Sequence, residues 1–313
     1  MSIVSNIIEA FKGEQFNLKK AYEVNPGVNK DSVRARIYEN LGVAFNRVGR
    51  GLYMTKDESV LLIEGNGRDL SAIEDGSVQL ILDDHPWQDP ESTKGRNRNF
   101  ADYDTFQYTK EDFMEKARVL EGGAFLCEVI PAESATNYEY LFQIKQWAKE
   151  CGFKYYAKVP WKKGTFVSNT GRTAKNTEDI MIFSKGKARA LRPDKQRGLD
   201  DNGNPTKFMS GAAGMLPTCF DVQPVSKKEQ IAQSEKPVEL YMQIIELLTK
   251  PGELIIDQFA GSGVTGEAAI KTNRKAILVE LCKEKVEKIA KRLAKVKELI
   301  EYSTPAPTIV SVA

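Results

Sequence analysis

The chain has 313 residues, 41% hydrophobic and 28% charged, enough for one large domain with a small one or for two of medium size. Its one histidine, His85, excludes an HExxH metalloenzyme and leaves little for a Ser-His-Asp hydrolase. Its four cysteines (Cys127, Cys151, Cys219, Cys282) are too dispersed for a zinc knuckle or a disulfide framework, no run approaches the about 18 apolar residues of a membrane helix, and the N-terminus lacks a signal-peptide core, so the expected setting is a reducing cytoplasm with no membrane partner.

In chain order, DSVRARIYENL (31–41) is expected to be a helix, with Asp31 as N-cap and Val33, Ile37 and Leu41 on one face. A β-like stretch broken by Gly49 and Gly51 follows, and the pair suits a small winged helix-turn-helix module over residues 1–56. From Ser59 short apolar strands alternate with helices. SVLLIEGN, SVQLILDD, GGAFLCEVIP and DIMIFSKG read as strands, with helices near 110–119 and along EYLFQIKQWAKECG. Residues 187–233 are polar and irregular. KPVELYMQIIELLTKPG is then a helix, ELIIDQFAGSGVTGEAAIKTN a strand, Gly-rich turn and helix, KAILVEL a strand and residues 282–302 a helix. The alternation implies an α/β, doubly wound sheet over 57–302, and 303–313 form a loose tail.

Two segments carry chemistry. Gly261, Gly263 and Gly266 form a GxGxxG turn between a strand and a helix, with Glu280 ending the next strand as an acceptor for ribose hydroxyls. The turn alone suits a nicotinamide cofactor and S-adenosylmethionine equally. Asp84-His85-Pro86-Trp87 ends another strand. Pro86 restricts itself and His85. A carboxylate beside a carbonyl of fixed direction can take both N–H groups of one amine, and Trp87 offers a stacking face. Together they suit an exocyclic amine on an aromatic base.

Taken jointly, DHPW and DQFAGSGVTG resemble the D/S/N-P-P-Y/W/F and DPFAGSGTTG motifs of the DNA amino-methyltransferases, in the permuted order of their β class. SEKPVEL (234–240), EGNGRDL (64–70), YDTFQYTKEDF and GRTAKNTEDIMIFSKG resemble further segments of that family, so the resemblance spans about 59–300. Residues 29–54 are similar to a DNA-binding module attached to some members. The resemblance implies a Rossmann-like methyltransferase sheet that binds S-adenosylmethionine and methylates a flipped base in double-stranded DNA.

It also assigns residues. Asp84 and the His85 carbonyl would take the amino N–H groups, with Pro86 stiffening the loop and Trp87 stacking on the base. His85 as a general base is the weaker alternative, because the family has no histidine there. Asn66 would contact the cofactor's adenine. Ser234, Lys236 and Pro237 would close its methionine end, with Asp257, Phe259, Ala260, Gly261, Ser262, Gly263, Thr265 and Glu280 around it. Two departures stand out: His85 for the first proline, implying a less rigid loop, and Gln258 for the cofactor-motif proline. No metal is implied.

Charge suggests where DNA would lie. Residues 1–56 carry nine basic and five acidic side chains, 57–150 nine and twenty, and 151–199 twelve and three. Lys94, Arg96 and Arg98, then Lys162, Lys163, Arg172 and Lys175, and Arg34, Arg36, Arg47 and Arg50 are the candidate phosphate contacts. Target recognition is expected in 187–233. Adenine N6 is the leading target, because Asp opens the catalytic motif. Cytosine N4, a nicotinamide dehydrogenase and a DNA-binding relative without catalysis remain alternatives. The resemblance leaves room for a homodimer and for a cognate restriction endonuclease, in a bacterial or phage-infected cell.

Overall fold

The computed structural model describes residues 3–11, 15–39, 41, 45–49, 51–55, 59–87, 105–164, 177–193, 215–226, 228–232 and 234–303. It divides into two compact units, Met1–Glu58 and Ser59–Ala313.

The first unit holds α1 (Ile3–Phe11), β1 (Gln15–Asn17), α2 (Leu18–Glu23), α3 (Lys30–Glu39), β2 (Phe45–Gly49) and β3 (Leu52–Thr55). Its strands form an antiparallel sheet in the order β1-β3-β2. Ile7, Phe16, Val33, Ile37, Phe45 and Tyr53 close the core. The α3 helix begins one residue before the sequence expectation. Asn29, not Asp31, caps it, accepting the Asp31 N–H at 2.8 Å, and Asp31 lies in the first turn. The helix ends at Glu39 rather than Leu41, which bridges to Phe45.

The second unit contains β4 (Val60–Glu64), β5 (Val78–Asp83), α4 (Lys110–Val119), β6 (Leu120–Pro131), α5 (Tyr138–Glu150), β7 (Phe153–Lys162), β8 (Thr177–Lys185), β9 (Phe220–Asp221), α6 (Val238–Leu248), β10 (Leu254–Asp257), α7 (Val264–Lys271), β11 (Lys275–Glu280) and α8 (Lys283–Ser303). One sheet runs β4-β11-β10-β5-β6-β8-β7-β9. The strands from β4 to β6 are parallel, and β8 runs antiparallel to both its neighbours. Alternating side chains feed two cores. Leu80, Leu82, Phe125 and Cys127 meet α6 and α7, while Ile81 and Leu126 meet α4 and α5.

The β7 strand had no counterpart in the sequence reading, and β9 corrects the view of 187–233 as wholly irregular. Over most of its length β7 pairs only with β8. Among the described residues its other edge meets β9 at Trp161 and Lys162 alone, which leaves room for Pro160 and several lysines. The indole N–H of Trp161 donates to the Val222 carbonyl at 2.8 Å, tying the described part of 215–226 to that edge.

Between β5 and β10 the chain winds in opposite directions, the place where open α/β sheets bind ligands. Beneath it lies a buried charge cluster. Asp83 and Glu128 are register partners on β5 and β6, fully buried and facing α4. Lys116, equally buried, reaches between them, in contact with Asp83 and 2.9 Å from Glu128. Removing one member of such a cluster leaves buried charge without compensation, at a cost of about 3–5 kcal/mol. Lys116→Met is therefore expected to lower unfolding stability by about that amount in chemical denaturation. A loss under about 1 kcal/mol would show that the cluster does not hold β5, β6 and α4 together.

Candidate active site

Parallel pairing of β5 with β10 (Leu80 beside Ile255, Ile81 beside Ile256) brings Asp84–Trp87 and the Gly-rich turn out at the same sheet edge. The Gln258 N–H donates to Asp83 Oδ1 at 2.9 Å, so the residue before Asp84–Trp87 holds the start of the Gly-rich turn. Rings join the two segments as well. The Phe106 and Phe259 centroids lie 5.4 Å apart, and Phe106 lies 5.8 Å from His85.

The Gly-rich turn is built from backbone hydrogen bonds and close approaches. Glu280, at the end of β11, accepts from Gly261 N–H at 2.8 Å and Cys282 N–H at 2.9 Å. Gly263 has φ +78° and lies against Ile289, so a side chain there would be both strained and crowded. At Gly67 a Cβ would come within 1.8 Å of the Gln258 carbonyl, which explains the glycine in EGNGRDL. Beside it, Asn66, Asp69, Ile73, Ile277 and Val279 help to line a cavity of about 180 Å³. A groove of about 390 Å³ between Lys145, Lys149 and Tyr155 holds none of the candidate residues.

Asp257 ends β10, accepts the Phe259 N–H at 3.0 Å and touches the Thr265 hydroxyl. Burial, helped by the nearby Asp83 charge, pushes its carboxyl up to about 8 against the Thr265 contact. Burial also raises Asp83 to about 6, with Lys116 opposing and Glu128 assisting. At Glu128 burial is outweighed by Lys116 and His85, which hold the carboxyl below its ordinary range.

Along the Asp84–Trp87 segment, Asp84, Pro86 and Trp87 are half-buried. The His85 carbonyl accepts Trp87 N–H at 2.7 Å, and the Pro86 carbonyl accepts Phe106 N–H at 3.0 Å. His85 itself turns inward and is 1% exposed, with Nε2 2.9 Å from the Tyr140 hydroxyl. The ring that stands in place of the expected proline lies among Tyr108, Tyr140 and Glu128. Asp84 pairs with Lys236 at 2.6 Å. Burial raises its carboxyl in spite of that partner.

Lys236, expected at the cofactor's methionine end, is 6% exposed and spans Asp84 and, at 3.3 Å, Glu178. Ser234 has φ +61° and is exposed, and Pro237 is the buried N-cap of α6. Phe259 is half-buried against Phe106, and Ala260 and Ser262 are buried. Lys163, expected on DNA, contacts Glu178 and lies over the Trp161 ring. Lys162 is half-exposed, 3.9 Å from Asp221. Arg34 and Arg36 form ion pairs along α3 with Asp31 and Glu39. Arg50, Lys94, Arg96, Arg98, Arg172 and Lys175, and the side chain of Arg47, lie outside the described residues.

Sequence reasoning did not find Lys116, Glu128, Tyr108, Tyr140 or Glu178. Each is an ordinary residue of a helix, strand or loop, and only the fold assembles them.

A family model described as DNA methylase, of the N6/N4 type, matches residues 78–292. The chain is 24% identical over 228 residues to the type II methyltransferase M.HpaI of Haemophilus parainfluenzae, covering 72% of this chain and 70% of that protein. The crystal structure of the M1.HpyAVI–SAM complex superposes with TM-score 0.54 at 20% identity, covering 75% of this chain and 98% of the other. PvuII DNA methyltransferase, cytosine-N4-specific, also gives 0.54, at 15% identity over 77% and 91%.

The Asp257 carboxyl gives a testable pH dependence. Because its folded value is raised from an ordinary 3.8 to about 8, its contribution to stability is full at acid pH and is lost as pH rises toward that value. Asp257→Asn has no proton to lose. Its Tm relative to the wild-type protein is therefore expected to improve from about pH 5 to about pH 8 and to level off above that. A difference that stays flat across this range would show an ordinary carboxylate.

Proposed function

This chain belongs to the N6/N4 DNA methylase family, and we propose that within it the protein transfers a methyl group from S-adenosylmethionine to adenine N6 in duplex DNA. The observation that carries the reading is the side-by-side emergence of Asp84–Trp87 and Gln258–Gly263, joined by the Gln258–Asp83 hydrogen bond.

The residues present fit S-adenosylmethionine. Asn66 and Asp69 beside the cavity of about 180 Å³ suit the adenine ring, and the Glu280 carboxylate suits the ribose hydroxyls. Gly261, Ser262 and Gly263 let the chain pass close to the ligand, and Phe259 offers a face to the positive sulfur. When bound, this group supplies a methyl on a cationic sulfur as an electrophile. Ser234 and Pro237, at the entrance to α6, would close the methionine end.

Everything else falls to the protein. The target base must leave the duplex, and stacking on Trp87 offsets part of that cost, by about 1–3 kcal/mol. Its amino nitrogen is a poor nucleophile because its lone pair is spread into the ring. Asp84 and the free lone pair of the His85 carbonyl accept its two N–H bonds and direct that lone pair out of the ring plane. Catalysis is then chiefly positioning. The nitrogen finishes with a surplus proton, and Asp84, its carboxyl raised by burial, is placed to accept it. Asp84 must exchange its Lys236 contact for the amine as the base enters.

Lys162 and the basic sequence segments 94–98 and 172–175 contribute phosphate contacts, the 187–233 segment contributes sequence choice, and residues 1–56 act as a winged-helix-like DNA-binding module. Adenine is favoured over cytosine N4 by the Asp that opens the catalytic motif.

Incubation with tritiated S-adenosylmethionine and mixed-sequence DNA, followed by nucleoside mass spectrometry, is expected to give N6-methyladenine. Asp84→Ala is expected to lower the rate by about 10³-fold or more while cofactor affinity changes little. N4-methylcytosine would reassign the target. No transfer by the wild-type protein would overturn the reading.

A further inference from the structure

We propose that the His85 side chain is a positioning residue: a neutral imidazole, with its proton on Nδ1 toward Glu128, that bolts the catalytic loop to Tyr140 through Nε2. The purpose of the loop rests on the methyltransferase reading. The state of the ring does not.

The ring is 1% exposed although Asp84, Pro86 and Trp87 around it are half-buried, so the loop is pinned at one residue. His85 Nε2 lies 2.9 Å from Tyr140 Oη, a hydroxyl on α5. That oxygen already accepts the Tyr108 backbone N–H at 2.9 Å. Its own proton is then free to point at Nε2, and in the proposed tautomer it does so, leaving Nε2 as the bare nitrogen. The neutral ring then carries its proton on Nδ1, which faces Glu128 Oε2 at 3.5 Å but has no hydrogen-bond partner among the described residues.

Glu128 is a firm anchor. Lys116 donates to its Oε1 at 2.9 Å and the Tyr108 hydroxyl to its Oε2 at 3.2 Å. The Tyr108 ring packs on the imidazole with centroids 4.1 Å apart, and Phe106 closes another side. The titratable groups facing the ring are thus Tyr108, Tyr140 and Glu128, with Lys116 and Asp83 behind Glu128.

The arrangement explains a histidine where the resembling family has proline. Proline stiffens a loop by fixing its own φ. His85 lacks that restraint, and anchors to β6 and α5 replace it from the side-chain end. The expected gain is in orientation, where a displacement of 1 Å costs about 10²-fold in rate.

The lone histidine makes the test direct. The full chain labelled with 15N in its imidazole gives one set of ring signals, and these report the tautomer without DNA or cofactor. The expected state at neutral pH is Nδ1–H with an unprotonated Nε2, moving toward Nε2–H in Tyr140→Phe. In steady-state methylation, His85→Ala and Tyr140→Phe are each expected to lower kcat by about 10-fold or more while the Kd for S-adenosylmethionine stays within about twofold. The double variant should be no slower than His85→Ala, and His85→Pro should recover most of that loss. An Nε2–H tautomer or an imidazolium in the wild-type protein would overturn the inference, as would Tyr140→Phe with tautomer and kcat both unchanged. If the wild-type chain transfers no methyl group, the functional reading fails and the tautomer still decides this one. If it methylates DNA with the proton on Nε2, this inference alone fails.

Discussion

Asp83 ties the site together. One carboxylate oxygen accepts the Gln258 N–H at the start of the Gly-rich turn, and the other takes Lys116 from α4. The next residue in the chain is Asp84. A single buried side chain therefore links the loop proposed to hold the base, the loop proposed to hold the methyl donor, and the helix beneath them. Burial raises its carboxyl, and Lys116 and the Gln258 amide oppose that rise. The same low dielectric that makes this cluster costly makes its geometry strict.

A second charge relay lies on the open side of the loop. Asp84, Lys236, Glu178 and Lys163 alternate in sign along it. Lys236 comes from the segment leading into α6 and Glu178 from β8, so the carboxylate proposed to meet the base is held by elements on both sides of the sheet's switch point. The inner network through His85 and the outer one through Lys236 hold neighbouring residues from opposite directions. When the base enters, only the outer contact of Asp84 with Lys236 has to be exchanged, while the inner one through His85 can stay in place.

Much of this was legible in the sequence, because the motifs are local. DHPW and GxGxxG sit at the ends of apolar strands, and the order of those strands in the chain implied a doubly wound sheet. The contacts that hold the motifs in place were not legible. Lys116 reads as one more helix lysine until β5 and β6 set Asp83 and Glu128 in register across from it. Lys236 reads as a helix N-terminal or cofactor-pocket residue until the fold brings it to Asp84. The β7 strand was missed because Pro160 and its lysines break the expected pattern, which a largely one-sided edge strand tolerates. The α1 helix was missed because Ile3, Val4, Ile7 and Ile8 favour strand locally, and the packing of Ile7 into the small core decides otherwise.

The central claim is that two loops from neighbouring parallel strands form a single reaction site. A crystal structure of the full chain with S-adenosylmethionine tests it most directly. The account predicts the ribose on Glu280, the adenine beside Asn66 and the transferable methyl facing the space between Asp84 and Trp87. A donor bound away from the Gly-rich turn, or one whose methyl faces away from Asp84, would contradict it.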